Sequence, residues 1–147
     1  MKELKEIYLE TERIYLREFT RHDEAELLEL DSDPEVMRYL TSGRPSKPIQ
    51  IQNMMERVQR QLKLSDGRFG VWAAIEKQSS LFIGWFHLFP LVAEDLKVDQ
   101  LYLGYRLKKM YWSKGYATEV SIALVKKAFD EFGKSEVCTQ AMKSNLG

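Results

Sequence analysis

The run Leu103-Gly104-Tyr105-Arg106-Leu107, followed beyond Tyr111 by Trp112-Ser113-Lys114-Gly115-Tyr116-Ala117-Thr118-Glu119, constrains this chain more than any other stretch. A strand-forming segment passes through a glycine-bearing turn into residues that open a long helix. Such a turn points unpaired backbone N–H groups outward at the positive end of the helix dipole, where phosphates bind without needing a particular side chain. The stretch therefore predicts a strand edge and a helix N-terminus opening side by side, as a site for a phosphorylated ligand.

The rest of the chain supplies a sheet and helices around that turn. Ile14 to Phe19 is rich in strand formers, and Thr20 with Asp23 resembles a capping box ahead of a short helix that buries Ala25, Leu27, Leu28 and Leu30. Pro34 starts a second short helix over Glu35 to Leu40, because proline is tolerated at the first helical position. Thr41 to Lys47 is a polar loop with Gly43 and Pro45, suited to the substrate side. From Pro48 to about Ser65, Ile51, Met54, Met55, Val58 and Leu62 recur at helical spacing, with the methionines as core filling. Phe69–Glu76 and Leu81–Phe89 predict an antiparallel hairpin, and Asp99–Leu107 the next strand. A helix from about Gly115 to Phe132 carries two apolar stripes, one of Ile122, Val125, Phe129 and Phe132, the other of Ala117, Val120, Leu124 and Ala128. Gly133 stops it, and Ser135–Ala141 is a last strand. The order β-α-α-α-β-β-β-α-β, without repeats or linkers, makes residues 1–147 one mixed α/β domain.

Composition narrows the class of ligand. Lys+Arg and Asp+Glu both number 22, so the basic excess of a nucleic-acid binder is missing. No apolar run approaches the ~20 residues of a membrane span, and the acidic N-terminus lacks a signal-peptide core, so a cytoplasmic protein is expected. A single cysteine, Cys138, fits a reducing compartment and reads as a small buried residue in the last strand. No metal site is expected.

Two common phosphate loops are excluded. Lys114-Gly115-Tyr116 lacks the spaced first glycine and the Lys-Ser/Thr pair of a Walker A loop, and no G-x-G-x-x-G lies at the turn. What remains is a strand edge beside a helix N-terminus, which can hold an extended thiol cofactor along the strand and its pyrophosphate on the turn. Gly104-Tyr105-Arg106-Leu107 with Tyr111 to Glu119 resembles the acetyl-CoA motif of the GNAT superfamily of N-acetyltransferases. The Trp-x-Lys-Gly-Tyr-Ala-Thr-Glu form is similar to the branch of the ribosomal-protein N-terminal acetyltransferases. Glu12 to Arg17 with Asp23, Asp33 to Leu40, and Phe82-Ile83-Gly84 resemble further parts of that branch, so the likeness runs from about Thr11 to Asn145.

The resemblance implies a mostly antiparallel mixed sheet flanked by helices, with acetyl-CoA as cosubstrate and an amine, on a protein N-terminus or a small molecule, as acceptor. It places the backbone of Tyr105, Arg106 and Leu107 against the pantetheine arm and Trp112, Ser113, Lys114, Gly115, Tyr116 and Ala117 around the pyrophosphate. Thr118 adds a hydroxyl, and Asn145 matches an asparagine that contacts the cofactor arm. Ser113 stands where the branch has glycine, an exchange that a negative φ would accommodate. Trp112 replaces the Arg or Gln of the wider superfamily, as it does across this branch.

The implied reaction has an amine attack the thioester carbonyl, with a backbone N–H of the Leu101–Leu107 strand stabilising the oxyanion. The branch's glutamate before the Gly-Tyr pair is Tyr102 here. Tyr102 and Asp99 are the candidate catalytic side chains, with His87 as a fallback. The family's proton donor, final helix and strand pair have no counterpart up to Gly147. The resulting free edge of the last strand predicts cover by a second copy, that is, a homodimer. A weakly catalytic acyl-CoA-binding module and a non-catalytic interaction domain are the alternative readings.

Overall fold

The computed structural model describes residues 6–38, 46–90 and 99–139. Six strands form one sheet in sequence order: β1 (Ile7–Glu10), β2 (Ile14–Arg17), β3 (Gly70–Glu76), β4 (Leu81–Pro90), β5 (Gln100–Leu107) and β6 (Glu136–Thr139). Four helices accompany them: α1 (Asp23–Ser32), α2 (Pro34–Met37), α3 (Pro48–Leu64) and α4 (Tyr116–Asp130). Every neighbouring pair is antiparallel except β5 and β6. That pair is parallel because α4 crosses over between the two strands. The mixed, mostly antiparallel architecture is the one the sequence predicts.

β3 and β4 are nearly continuous apolar runs because both of their faces are covered. One face carries Trp72, Phe86, Leu88 and Leu103 under the buried stripe of α4, Val120, Leu124 and Ala128. The opposite face carries Val71, Trp85, His87, Phe89, Tyr102 and Arg106 toward α1 and α3. α3 turns Ile51, Val58 and Leu62 inward and leaves Met54 and Met55 half-buried against the core.

Several expectations change in detail. β1 is an added edge strand that the charged N-terminal residues obscured. Tyr8 anchors it by stacking on Trp72 at 3.6 Å between ring centroids and by donating its hydroxyl to the Arg68 carbonyl. α2 ends at Met37. Tyr39 and Leu40 of its predicted span, most of the Thr41–Lys47 loop and Asn145 lie outside the described residues. Thr20 does not cap α1 with its hydroxyl; the Asp23 carboxylate accepts from the Thr20 N–H at 2.7 Å and holds Arg17 with both oxygens. Ala25 is exposed. On α4 only one of the two apolar stripes is buried, because a helix laid on a sheet covers a single arc; Ile122 and Phe129 face outward. Cys138 is half-buried. Burial and Glu136 push its thiol up, away from a reactive thiolate. Among the described residues no helix is long and apolar enough to cross a membrane.

Gly84 sets the end of β5. A Cβ there would lie 2.1 Å from the Arg106 carbonyl oxygen, and the β3–β4 register shifts beside it. The bulge brings Phe82-Ile83-Gly84 directly against Arg106 and Leu107, where the functional turn begins.

Candidate functional site

β5 is eight residues long, but β6 pairs only with Gln100 to Leu103. Beyond Leu103 the two strands share no ladder among the described residues, which leave the edge of Gly104–Leu107 away from β4 without a neighbouring strand. Alternate residues of a strand direct their N–H and C=O to the same side. The Lys108 N–H donates to Ile83 on the β4 side, which turns the backbone groups of Tyr105 and Leu107 toward the opening. By the same alternation those of Arg106 turn to β4. The Leu107 carbonyl accepts from the Trp112 indole N–H at 2.9 Å, so Trp112 folds its ring back over the strand end.

A 3-10 turn over Lys109–Tyr111 then leads into α4. Gly115 precedes the helix with φ +82 and caps it with no side-chain hydrogen bond. The amides of Gly115, Tyr116, Ala117 and Thr118 therefore find no acceptor among the described residues. A Cβ on Gly115 would meet only Arg13 Nη2, at 3.4 Å. The positive φ, rather than crowding within the protein, is what selects glycine. Ser113 also has positive φ, +60, which corrects the expectation of a negative value there. It occupies a left-handed conformation that costs a non-glycine residue about 1–2 kcal/mol.

The turn is held by residues far away in sequence. Glu119, in the first turn of α4, accepts from Thr11 Oγ1 at 2.5 Å, the Arg13 N–H at 3.0 Å and Arg13 Nε at 2.7 Å. Arg13 Nη1 reaches the Lys114 carbonyl at 3.0 Å, and the guanidinium lies 4.3 Å from the Tyr116 ring centre. Tyr116 donates its hydroxyl to Glu76 at the end of β3. That bond lowers the Glu76 carboxyl and raises the Tyr116 phenol. Burial works to raise the Glu119 carboxyl, but the bonds from Thr11 and Arg13 outweigh it and hold it below the usual range. The β1–β2 turn, the end of β3 and the start of α4 thus form one bracket beneath the free amides. Glu119 and Arg13 belonged to the quoted sequence motifs. Their roles were hidden by a separation of 106 residues.

On the other face of β5 lies a pocket of about 400 Å³ between the sheet and α3. Arg106 enters it from β5 and pairs with the buried Asp31 of α1, Nη1 to Oδ1 at 2.6 Å. The second Asp31 oxygen accepts from Ser46 at 2.7 Å. Arg106 Nε is buried with no hydrogen-bond partner among the described residues. An unsatisfied buried donor of this kind costs about 1–3 kcal/mol. His87 stands opposite Gly104 in the ladder, among Trp85, Phe89 and Tyr102, with ring centroids 4.6–5.6 Å apart. Burial, reinforced by the Arg106 charge, pushes its imidazole down to about 4, so it is neutral near pH 7. A wider depression of about 660 Å³ between α1, α2 and Lys108–Met110 sets Glu29 and Asp33 against Lys108 and Lys109 and holds no buried unsatisfied atom among the described residues.

The predicted site residues fall into three groups. Tyr105, Leu107 and Trp112 to Thr118 gather along the open edge and the turn. Arg106 and Tyr102 face the pocket instead, Tyr102 packed edge-on against His87. Asp99 is exposed at the far end of β5, where its carbonyl receives the start of β6. Gly104 lies five positions further along the strand, roughly 17 Å away. The strand's own rise thus takes Asp99 away from the opening. Among the described residues no three His, Cys, Asp or Glu side chains converge as metal ligands.

Known proteins share the sequence pattern and the fold of this chain. The model of the acetyltransferase (GNAT) domain family matches residues 13–147. The chain is 31% identical over 137 residues to FsC-acetyl coenzyme A-N(2)-transacetylase of Aspergillus fumigatus, a match covering 88% of this chain and 53% of that protein. It thus spans about half the length of this curated relative. Among solved structures, an acetyltransferase (GNAT family) from Bacillus anthracis superimposes with a TM-score of 0.77 at 20% identity, over 95% of this chain and 76% of that one. The microcin C7 self-immunity acetyltransferase MccE, solved with acetyl-CoA and AMP, gives 0.73 at 14% identity, over 91% and 72%. With an open β5 edge, a free-amide turn and a family match over nearly its whole length, the chain belongs to the GNAT acetyltransferase family.

Proposed function

We propose that this chain is an N-acetyltransferase that takes its acetyl group from acetyl-CoA and gives it to a primary amine. The observation that carries the reading is the meeting of the Tyr105 backbone groups and Leu107 N–H, unpaired among the described residues, with the likewise unpaired amides of Gly115 to Thr118. A strand edge offers an extended amide-bearing arm the hydrogen bonds of an added strand. The helix N-terminus beside it suits a pyrophosphate. The fit is supported by Gly115, where a Cβ would meet no backbone and only the Arg13 guanidinium, at 3.4 Å. Acetyl-CoA, when bound, supplies the activated thioester carbonyl. Tyr105 and Leu107 would hold the arm, Gly115 to Thr118 the phosphates, and Trp112 would close the strand end.

On the pocket side, His87 is a neutral imidazole that makes no hydrogen bond among the described residues. It is a weak base, better suited to holding a water or the amine than to deprotonating an ammonium. An N-terminal amine, with a reference value near ~8 against ~10.4 for lysine, needs less help. A second reading, a chain that binds acetyl-CoA without transferring from it, is favoured by two observations: Asp99 stands at the far end of β5, and Tyr102 packs against His87.

Calorimetric titration with acetyl-CoA tests binding, and thiol release with a panel of amines tests transfer. Gly115→Trp is expected to abolish the heat of binding while the protein still unfolds cooperatively, since its Cβ meets no backbone. Unchanged affinity in that variant would place the cofactor elsewhere.

A further inference from the structure

Resting on the reading of this chain as an amine acetyltransferase, we propose that its acceptor carries a carboxylate, held in the α3-face pocket by Arg106 and Arg57. Among the described pocket residues the ionised groups are Asp31, Arg57 and Arg106, since His87 is neutral. Asp31 is consumed: one oxygen holds Arg106 and the other holds Ser46. No carboxylate of the described lining is therefore left to receive a cationic substituent, and a polyamine would meet two guanidinium groups. Arg106 in turn is only partly used, its Nη1 on Asp31 and its Nε buried and unsatisfied. Arg57, exposed on α3 at the rim of the same pocket, has no ion-pair partner among the described residues. A guanidinium recognises a planar carboxylate through paired N–H donors, and such charge-assisted bonds are the strong ones.

The remaining lining sets the size and character of the acceptor. Met54, Val58, Trp85 and Phe89 are apolar, and about 400 Å³ suits a group of amino-acid dimensions. The acceptor class that matches is a carboxylate-bearing amine with an apolar body, such as an apolar amino acid or a small conjugate of one. The positive field of Arg106 also favours the amine in its uncharged form, the form that reacts.

The experiment compares L-phenylalanine with L-phenylalaninamide on the full chain at pH 8, by calorimetry and by tryptophan fluorescence, which Trp85 reports from the pocket wall. The acid is expected to bind about tenfold more tightly than the amide, on the order of one charge-assisted pair. Arg57→Gln should bring the two ligands to within about twofold while leaving the unfolding transition in place, because Arg57 is exposed and makes no hydrogen bond or ion pair among the described residues. Arg106→Gln is the stronger change, but it strands Asp31, so Arg57→Gln decides. Equal binding of acid and amide, tighter binding of the amide, no binding of either, or an undiminished preference in Arg57→Gln overturns the assignment. A carboxylate preference without thiol release would refute acetyl transfer and leave the pocket's ligand class standing. Thiol release that ignores the carboxylate would do the reverse.

Discussion

Gly104→Ala tests whether the two faces of β5 are as separate as the geometry requires. A Cβ on Gly104 would lie 2.0 Å from His87 Nε2, 2.7 Å from Cδ2 and 3.0 Å from Cε1. Ordinary non-bonded contact is about 3.5–4.0 Å, so the imidazole must retreat by about 1.5 Å. It sits among Trp85, Phe89 and Tyr102, so the retreat disturbs three aromatic contacts as well as its own rotamer. Overpacking of this kind costs about 1–3 kcal/mol. Urea unfolding of the wild type, Gly104→Ala, His87→Ala and the double variant reads the effect as a double-mutant cycle. If the clash with His87 is the cause, Gly104→Ala should cost about 1 kcal/mol or more in the parent and close to nothing once His87 is Ala. Acetyl-CoA affinity should change by less than about threefold, because the methyl projects toward the α3 face, away from the open edge. Additive costs in the cycle would refute the argument: His87 would not be seated over Gly104, and the pocket as described would lose its floor.

Two further outcomes follow from the backbone and from the imidazole. Ser113→Gly should stabilise the fold by roughly 0.5–1 kcal/mol: relief of the left-handed strain, about 1–2 kcal/mol, exceeds the extra freedom glycine gives the unfolded chain. A destabilised Ser113→Gly in urea would contradict the φ of +60. His87 is depressed to about 4 in the folded state against about 6.5 unfolded, so the unfolded chain binds more protons between those values. Its contribution is therefore complete above pH 6.5 and declines as pH falls toward 4. Unfolding free energies at pH 7.5, 6 and 5 should fall more steeply in the wild type than in His87→Ala, and parallel curves would show an imidazole that titrates normally.

The turn was legible in the sequence because its chemistry is local. Gly115 just before a helical run, a strand of alternating residues before it and aromatic residues at the bend all lie within about seventeen positions, and each element acts on its neighbours. The strands β3 and β4 were legible for the same reason, since an apolar run bounded by a polar turn specifies a buried hairpin almost unaided. What the sequence did not disclose depends on register. The resemblance sets the backbone of Arg106 against the cofactor arm with those of Tyr105 and Leu107, yet a strand's period of two turns its backbone groups to β4 and its side chain to the face opposite Tyr105. Asp99 is a candidate catalytic carboxylate from its place at the start of a functional strand, but strand rise alone carries it away. The sign of φ at Ser113 was equally out of reach, because serine tolerates either well at modest cost and its neighbours do not decide between them.

The same logic explains why the turn needs help from so far away. Four outward amides at a helix start are mutually repulsive partial charges with nothing beneath them, and a glycine-bearing loop has little stiffness of its own. Glu119 answers this by taking three donors from Thr11 and Arg13, and Arg13 then fixes the Lys114 carbonyl, so that the loop's carbonyls are drawn to the protein and its amides are left outward. A carboxylate in the first turn of α4 also lies where the helix dipole favours it. Placed above the amides, a carboxylate would occupy the anion site; placed below them, in a bracket with Arg13, it preorganises that site. The resemblance of Glu12 to Arg17 to a family segment thereby acquires a physical reason. The β1–β2 turn bonds Glu119 and Lys114, and through them it determines which way the groups of the anion-binding turn point.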